Sequence, residues 1–132
     1  FAPNTSLGVM LLLKASFSMT PLLKKIGFDI AIEEPHHREK KDKPSGTALL
    51  LKNNMENSLP KGSPNIDLHS LRGGGIFGEH HIRFMGAHEE ITLTHRAYSR
   101  DLFAQGALVL GLWLSKQPPG NYELSDIDPN SL

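Results

Sequence analysis

Glu34-Pro35-His36-His37-Arg38-Glu39-Lys40-Lys41-Asp42-Lys43-Pro44-Ser45-Gly46-Thr47-Ala48 separates a strand from a helix and so decides how the chain is divided. Ahead of it Gly27 punctuates, and Asp29 to Glu33 alternates with Ile30 and Ile32 on one face, which predicts a short strand. Behind it Pro44-Ser45-Gly46-Thr47 opens a helix, Ala48 to about Asn57, with Leu49, Leu50 and Leu51 available to a core. Between the two, the density of charge and imidazole from Glu34 to Lys43 predicts a loop. That loop carries His36, His37 and Lys40 to the open end of the helix. The first amides there lack intrahelical partners and together bear about half a positive charge, so they attract anions. Ser45 is able to cap, and Gly46 lets a ligand approach the backbone. The arrangement suits a small carboxylate or phosphate with an acid–base His alongside. The same residues also suit a plain helix cap beside a solvated loop, and spacing alone leaves the chemistry open.

Working outward, Ser6 caps a helix from about Leu7 to Lys25, dense in apolar residues and with Pro21 as the place for a kink. Ser58 to Asn65 is a surface connection. Ile66 to Leu71, Glu79 to Met85 and Glu90 to His95 each alternate apolar with polar, which predicts three antiparallel strands joined by turns at Gly73 to Gly75 and at Gly86. Ser99 caps a long apolar helix, Arg100 to Lys116, stopped by Pro118-Pro119-Gly120; Trp113 and Phe103 read as core. Tyr122 to Leu132 is a short final element. The fold class is α+β, a mixed or mostly antiparallel four-stranded sheet with helices packed on one side.

The chain has 132 residues, the size of one domain. Lys plus Arg number 14 and Asp plus Glu 14, so net charge favours neither nucleic acid nor an anionic membrane as partner. An anion must be held by a local cluster. Cysteine is absent, which excludes disulfides and thiol chemistry and fits a cytoplasmic protein. No uninterrupted apolar run approaches the roughly 18 residues of a membrane span. The chain has no initiator Met and runs straight into a helix signal, as a piece cut from something longer would.

Two patterns need weighing. Gly73-Gly74-Gly75-Ile76-Phe77-Gly78 satisfies G-x-G-x-x-G, but Glu79 to Phe84 alternates like a strand where a dinucleotide fold needs a helix. We read it as a glycine-rich sheet turn. His80 and His81 are adjacent on a strand and face opposite sides, while His69, His88 and His95 are isolated in sequence, so no metal site is expected.

The run from Glu34 to Ala48 resembles the signature of the dihydrodipicolinate (4-hydroxy-tetrahydrodipicolinate) reductases, Glu-x-His-His-x-x-Lys-x-Asp-x-Pro-Ser-Gly-Thr-Ala, at every fixed position. Ala2 to Val9 resembles that family's hinge segment. Arg72-Gly73-Gly74 through Gly78-Glu79-His80 resembles its sheet, and His95-Arg96-Ala97, Ser99-Arg100, Phe103-Ala104 and Gly106-Ala107 its last helix. The resemblance implies His36 as the proton donor or acceptor and Lys40 as its catalytic partner. His37, Gly46 and Thr47, supported by Ser45, would hold the carboxylates of a small cyclic dicarboxylate. Ala2, Pro3, Asn4 and Thr5, with Arg100 and Phe103, would lie near the nicotinamide end of NADH or NADPH.

It further implies an oxidoreductase of the diaminopimelate and lysine pathway, cytoplasmic and a homotetramer assembled through its sheets. Residues 1–6 would be the hinge, 7–98 the substrate-binding and oligomerisation domain, and 99–132 a helix and tail returning to the nucleotide-binding domain. No strand, Gly-rich turn and helix precede Ala2, so that Rossmann domain is expected to be absent and the chain alone inactive. The competing expectations are a non-catalytic dicarboxylate-binding or assembly module and a His-rich metal-binding protein.

Overall fold

A computed structural model describes residues 4–132; the hinge residues Ala2 and Pro3 lie outside the described part. The elements are α1 (Leu7–Lys25), β1 (Asp29–His36), α2 (Gly46–Asn57), β2 (Asp67–Arg72), β3 (Glu79–Met85), β4 (Glu90–Arg96) and α3 (Asp101–Leu114), then two single 3-10 turns, Leu124–Asp126 and Pro129–Ser131. The four strands form one sheet in the order β2-β1-β3-β4. β1 pairs parallel with β2, and antiparallel with β3, which pairs antiparallel with β4. The sheet is mixed, and α2 is the crossover between its two parallel strands.

Local chemistry accounts for the helices. Ser6 Oγ accepts the Val9 N–H at 3.2 Å to start α1, and Lys24 and Lys25 sit in its last turn, where cations oppose the helix dipole. Gly27, at φ +93°, turns the chain away in the left-handed region. The helix runs on through Pro21. Ser45 Oγ accepts the Ala48 N–H at 3.2 Å and starts α2 two residues before the expected position.

One face of the sheet is covered and the other open. Ile30, Ile32 and Glu34 of β1 and His80, Ile82 and Phe84 of β3 are buried beneath α1 and α2, while their alternating neighbours Glu33, His81 and Arg83 are partly exposed. Val9, Met10, Leu12, Leu13 and Leu23 of α1, with Leu51 and Met55 of α2, complete the core. The tail, expected as a short final element, closes it from one end, with Leu124 and Ile127 both buried. The open face carries charge ladders: Arg83 Nη2 meets Glu90 Oε2 at 2.8 Å and Arg83 Nη1 meets Glu33 Oε1 at 3.4 Å, while Arg96 Nε meets Glu79 Oε1 at 2.8 Å.

Several expectations change. The strand expected to stop at Glu33 continues to His36, because β2 pairs with it as far as His36↔Arg72 and Arg72 neutralises the buried Glu34. The predicted loop is therefore 37–45. The three later strands are not consecutive neighbours: β1 lies between β2 and β3, since alternation assigns a face but not a neighbour. Leu49 points outward at 43% exposure, and of the three Leu only Leu51 is fully buried. α3 is no core helix. Only Gly106 is buried there, and Leu108 and Leu112 are 71% and 66% exposed; Trp113 packs only partly and Phe103 is half-exposed.

The 19-residue α1, in which Lys14 interrupts the apolar run, reaches a mean hydropathy of 1.3 over an 18-residue window and so is long and apolar enough to cross a membrane by length and composition only. Its packing gives it another place: its buried stripe rests on α2 and β4 and builds the core.

Candidate active site

A cleft of about 820 Å³ opens where the C-terminal end of β1, the loop 37–45 and the N-terminus of α2 meet the start of α1 and α3. His36, His37, Lys40, Ser45, Gly46 and Thr47 all line it, as do Asn4, Thr5, Arg100 and Phe103. Every described residue singled out from the sequence thus shares one concavity. Tertiary contacts hold the parts together. Asn4 Nδ2 donates to Thr47 Oγ1 at 2.9 Å, and Asn4 Oδ1 accepts the Ser6 N–H at 2.8 Å. Thr5 Oγ1 donates to the Phe103 carbonyl at 2.8 Å. A Cβ on Gly106 would lie 1.8 Å from the Thr5 carbonyl oxygen, so glycine is what lets α3 reach this segment.

Charge is arranged in layers. Glu34, fully buried under the cleft, contacts Arg72 Nη2 at 2.8 Å through Oε1 and His36 Nδ1 at 2.7 Å through Oε2. Burial alone would raise the Glu34 pKa, but hydrogen bonds from Arg72 and Ser70 and the charges of Arg72 and His36 bring it below the ordinary carboxylate value. Burial pushes His36 below the usual imidazole value, against the pull of Glu34. At the rim, Lys40 Nζ sits 2.8 Å from Asp42 Oδ1, half-exposed, where a ligand carboxylate is able to replace it.

Two further imidazoles form the floor. His80 lies edge-on to His36 with ring centroids 5.4 Å apart, and His95 follows at 6.3 Å from His80. His80 Nε2 is 3.3 Å from Ser45 Oγ, and His95 Nε2 is 3.3 Å from Ser6 Oγ, so each touches the cap of a helix that opens on the site. Burial, followed by the charges of His36 and His95, lowers His80 to about 3; burial lowers His95. Both rings are neutral at pH 7. The sequence reading set His80 aside as facing away from its neighbour His81 and His95 as isolated. The missed signal was their place on the covered face of alternating strands, in phase with Ile82 and Leu93.

Among the described residues, Glu34, His36 and His80 bring donor atoms within 4.8 Å of one another. Arg72 already supplies the positive charge that a metal would bring to Glu34. The glycine run Gly73 to Gly78 is followed by β3 and not by a helix, and Gly73 N–H donates to the His36 carbonyl at 3.0 Å, so it extends the sheet beside the cleft.

Residues 8–127 match the family model for the C-terminus of dihydrodipicolinate reductase. The chain belongs to the dihydrodipicolinate reductase family. It is 41% identical to the 4-hydroxy-tetrahydrodipicolinate reductase of Aquifex aeolicus (strain VF5), with 96% of this chain and 52% of that protein covered. The reductase of Methanopyrus kandleri (strain AV19) is likewise 41% identical over 96% of this chain and 51% of its own length. A dipicolinate-bound dihydrodipicolinate reductase from Paenisporosarcina sp. TG-14 superposes with a TM-score of 0.78 at 29% identity, covering 96% of this chain and 53% of that one. The chain spans about half the length of the curated relatives it matches. In this member of the family the signature from Glu34 to Ala48 therefore coincides with the cleft.

Proposed function

We propose that this chain is the substrate-binding part of a reductase that converts 4-hydroxy-tetrahydrodipicolinate to tetrahydrodipicolinate with NADH or NADPH, in the diaminopimelate and lysine pathway. The observation that carries the reading is the convergence of His36, His37, Lys40 and the open end of α2 on a single cleft. A cyclic dicarboxylate needs two anion sites across a flat ring. The Gly46 and Thr47 end of α2 offers one, and His37 with Lys40 the other. Gly46 has nothing within 4 Å of where a Cβ would stand, so its backbone is open to a ligand oxygen.

In the reaction water leaves the ring, a hydride reaches one carbon and a proton its neighbour. When bound, the nicotinamide cofactor supplies the hydride. The half-exposed Phe103 ring and the Arg100 side chain at the cleft wall, with Asn4 and Thr5, suit the nicotinamide end of such a cofactor. Lys40 offsets the negative charge that builds on the ring, and His36 delivers the proton.

The same reading takes the exposed apolar face of α3 as the seat of the cofactor-binding half, the open sheet face as the surface of a homotetramer, and the cytoplasm as its location. Whether the chain instead belongs to a non-catalytic dicarboxylate-binding module is decided by turnover. In the full-length protein, NAD(P)H oxidation should depend on the substrate, and His36→Ala should lower kcat by about 10²-fold while dicarboxylate affinity stays within a few-fold. Absence of substrate-dependent oxidation by the wild type would remove the reductase reading.

A further inference from the structure

Glu34 and His36 are two residues apart on β1, so the strand period of two puts both on the covered face. The two oxygens of Glu34 are engaged differently. Oε1 accepts from Arg72 Nη2 at 2.8 Å, and Oε2 stands 2.7 Å from His36 Nδ1. Arg72 is the register partner of His36 on the parallel strand β2. Its guanidinium also donates to the carbonyls of Glu34 at 3.1 Å and Asp42 at 2.7 Å, which ties the loop bearing Lys40 to the same carboxylate. On the far side of the ring, a Cβ at Gly78 would lie 3.0 Å from His36 Nε2, and Gly78 lines the cleft. The ring thus has a buried anion at one nitrogen and Gly78, a residue of the cleft wall, beside the other.

We propose that Glu34, clamped by Arg72, is the positioning residue for His36: it keeps a proton on Nδ1 and presents Nε2 to the cleft. Its importance for turnover rests on His36 being the proton donor, but the tautomer itself needs no substrate. The physical case is the asymmetry of the two nitrogens. An ionised carboxylate beside Nδ1 stabilises N–H there and disfavours a lone pair, and it also stabilises the ring once Nε2 takes up the proton to be delivered. A hydrogen bond to the Glu34 backbone carbonyl acts in the same direction as the carboxylate, and the other charged groups facing His36 oppose it. Arg72 and Lys40 are cations that oppose protonation, and neighbouring His80 is neutral. Glu34 is the one described group whose charge acts in favour.

Nitrogen-15 NMR of the labelled 132-residue chain tests this directly. Above the His36 titration, Nδ1 should read as protonated and Nε2 as the bare nitrogen; the reverse assignment would overturn the proposal. In Glu34→Gln the His36 midpoint should fall by about one pH unit or more, and an unchanged midpoint in a folded variant would also overturn it. If that variant does not fold, the wild-type tautomer still decides. In the full-length protein Glu34→Gln should lower kcat by about 10²-fold with KM nearly kept, and should shift the pH profile; unchanged kcat would sink the link to turnover. Loss of the reductase reading would leave the tautomer result standing, so the two failures are distinct.

Discussion

His80 shows how a residue's surroundings fix its chemistry. On a flexible chain it would titrate near 6.5, but enclosed between His36, His95 and Ser45 it is held neutral down to about pH 3. The unfolded chain takes up a proton at this residue as pH falls below 6.5, and the folded chain does not. Stability is therefore lost through the window from 6.5 down to about 3. Between pH 7 and pH 5 that amounts to about 2 kcal/mol. His80→Gln keeps a polar group near Ser45 but has nothing to titrate. Urea unfolding of the two proteins at pH 7 and pH 5 should show a pH dependence smaller by about 2 kcal/mol in the variant. Equal dependence would mean that His80 is solvated. His36 and His95, also lowered by burial, contribute in the same direction.

At the level of elements, the sequence revealed faces better than neighbours. α1 was legible because Ser6 caps it and its apolar residues are dense. β3 was legible because Ile82 and Phe84 alternate with Arg83 and Met85. The extension of β1 through Glu34 was not, because a buried carboxylate in a strand is stable only with a cation, and that cation is Arg72, which arrives on another strand. The site loop was legible as a run of residue types. The His80 and His95 floor was not, because strand order determines which rings meet. α3 was misread for a related reason: apolar composition signals a buried face without saying which surface covers it. The first half of α3 is seated by Gly106 against the Thr5 carbonyl and by the Thr5 hydroxyl on the Phe103 carbonyl, while Leu110 and Trp113 pack partly on the core. Gly106→Ala places a methyl inside that contact and should cost about 1–3 kcal/mol despite alanine's better helix propensity. A chemical-denaturation midpoint equal to or above that of wild type would show that α3 is not seated there.

For the whole molecule, layering decides what each surface is free to do. The helices cover one face of the sheet and leave the cleft at its edge, while the opposite face keeps the paired charges of Glu33, Arg83, Glu90, Glu79 and Arg96. The assembly proposed above would cover this four-stranded face, whose charges are already matched within the chain. Sedimentation at micromolar concentration should report a tetramer; a single monomeric species would contradict assembly through this face.

The account depends most on a doubly charged ring acid binding at the mouth of α2. Isothermal titration of the 132-residue chain with dipicolinate tests it most directly. We predict saturable one-site binding that His37→Ala and Thr47→Val each weaken about tenfold, a loss of about 1.4 kcal/mol. Binding unchanged in both variants would contradict the account.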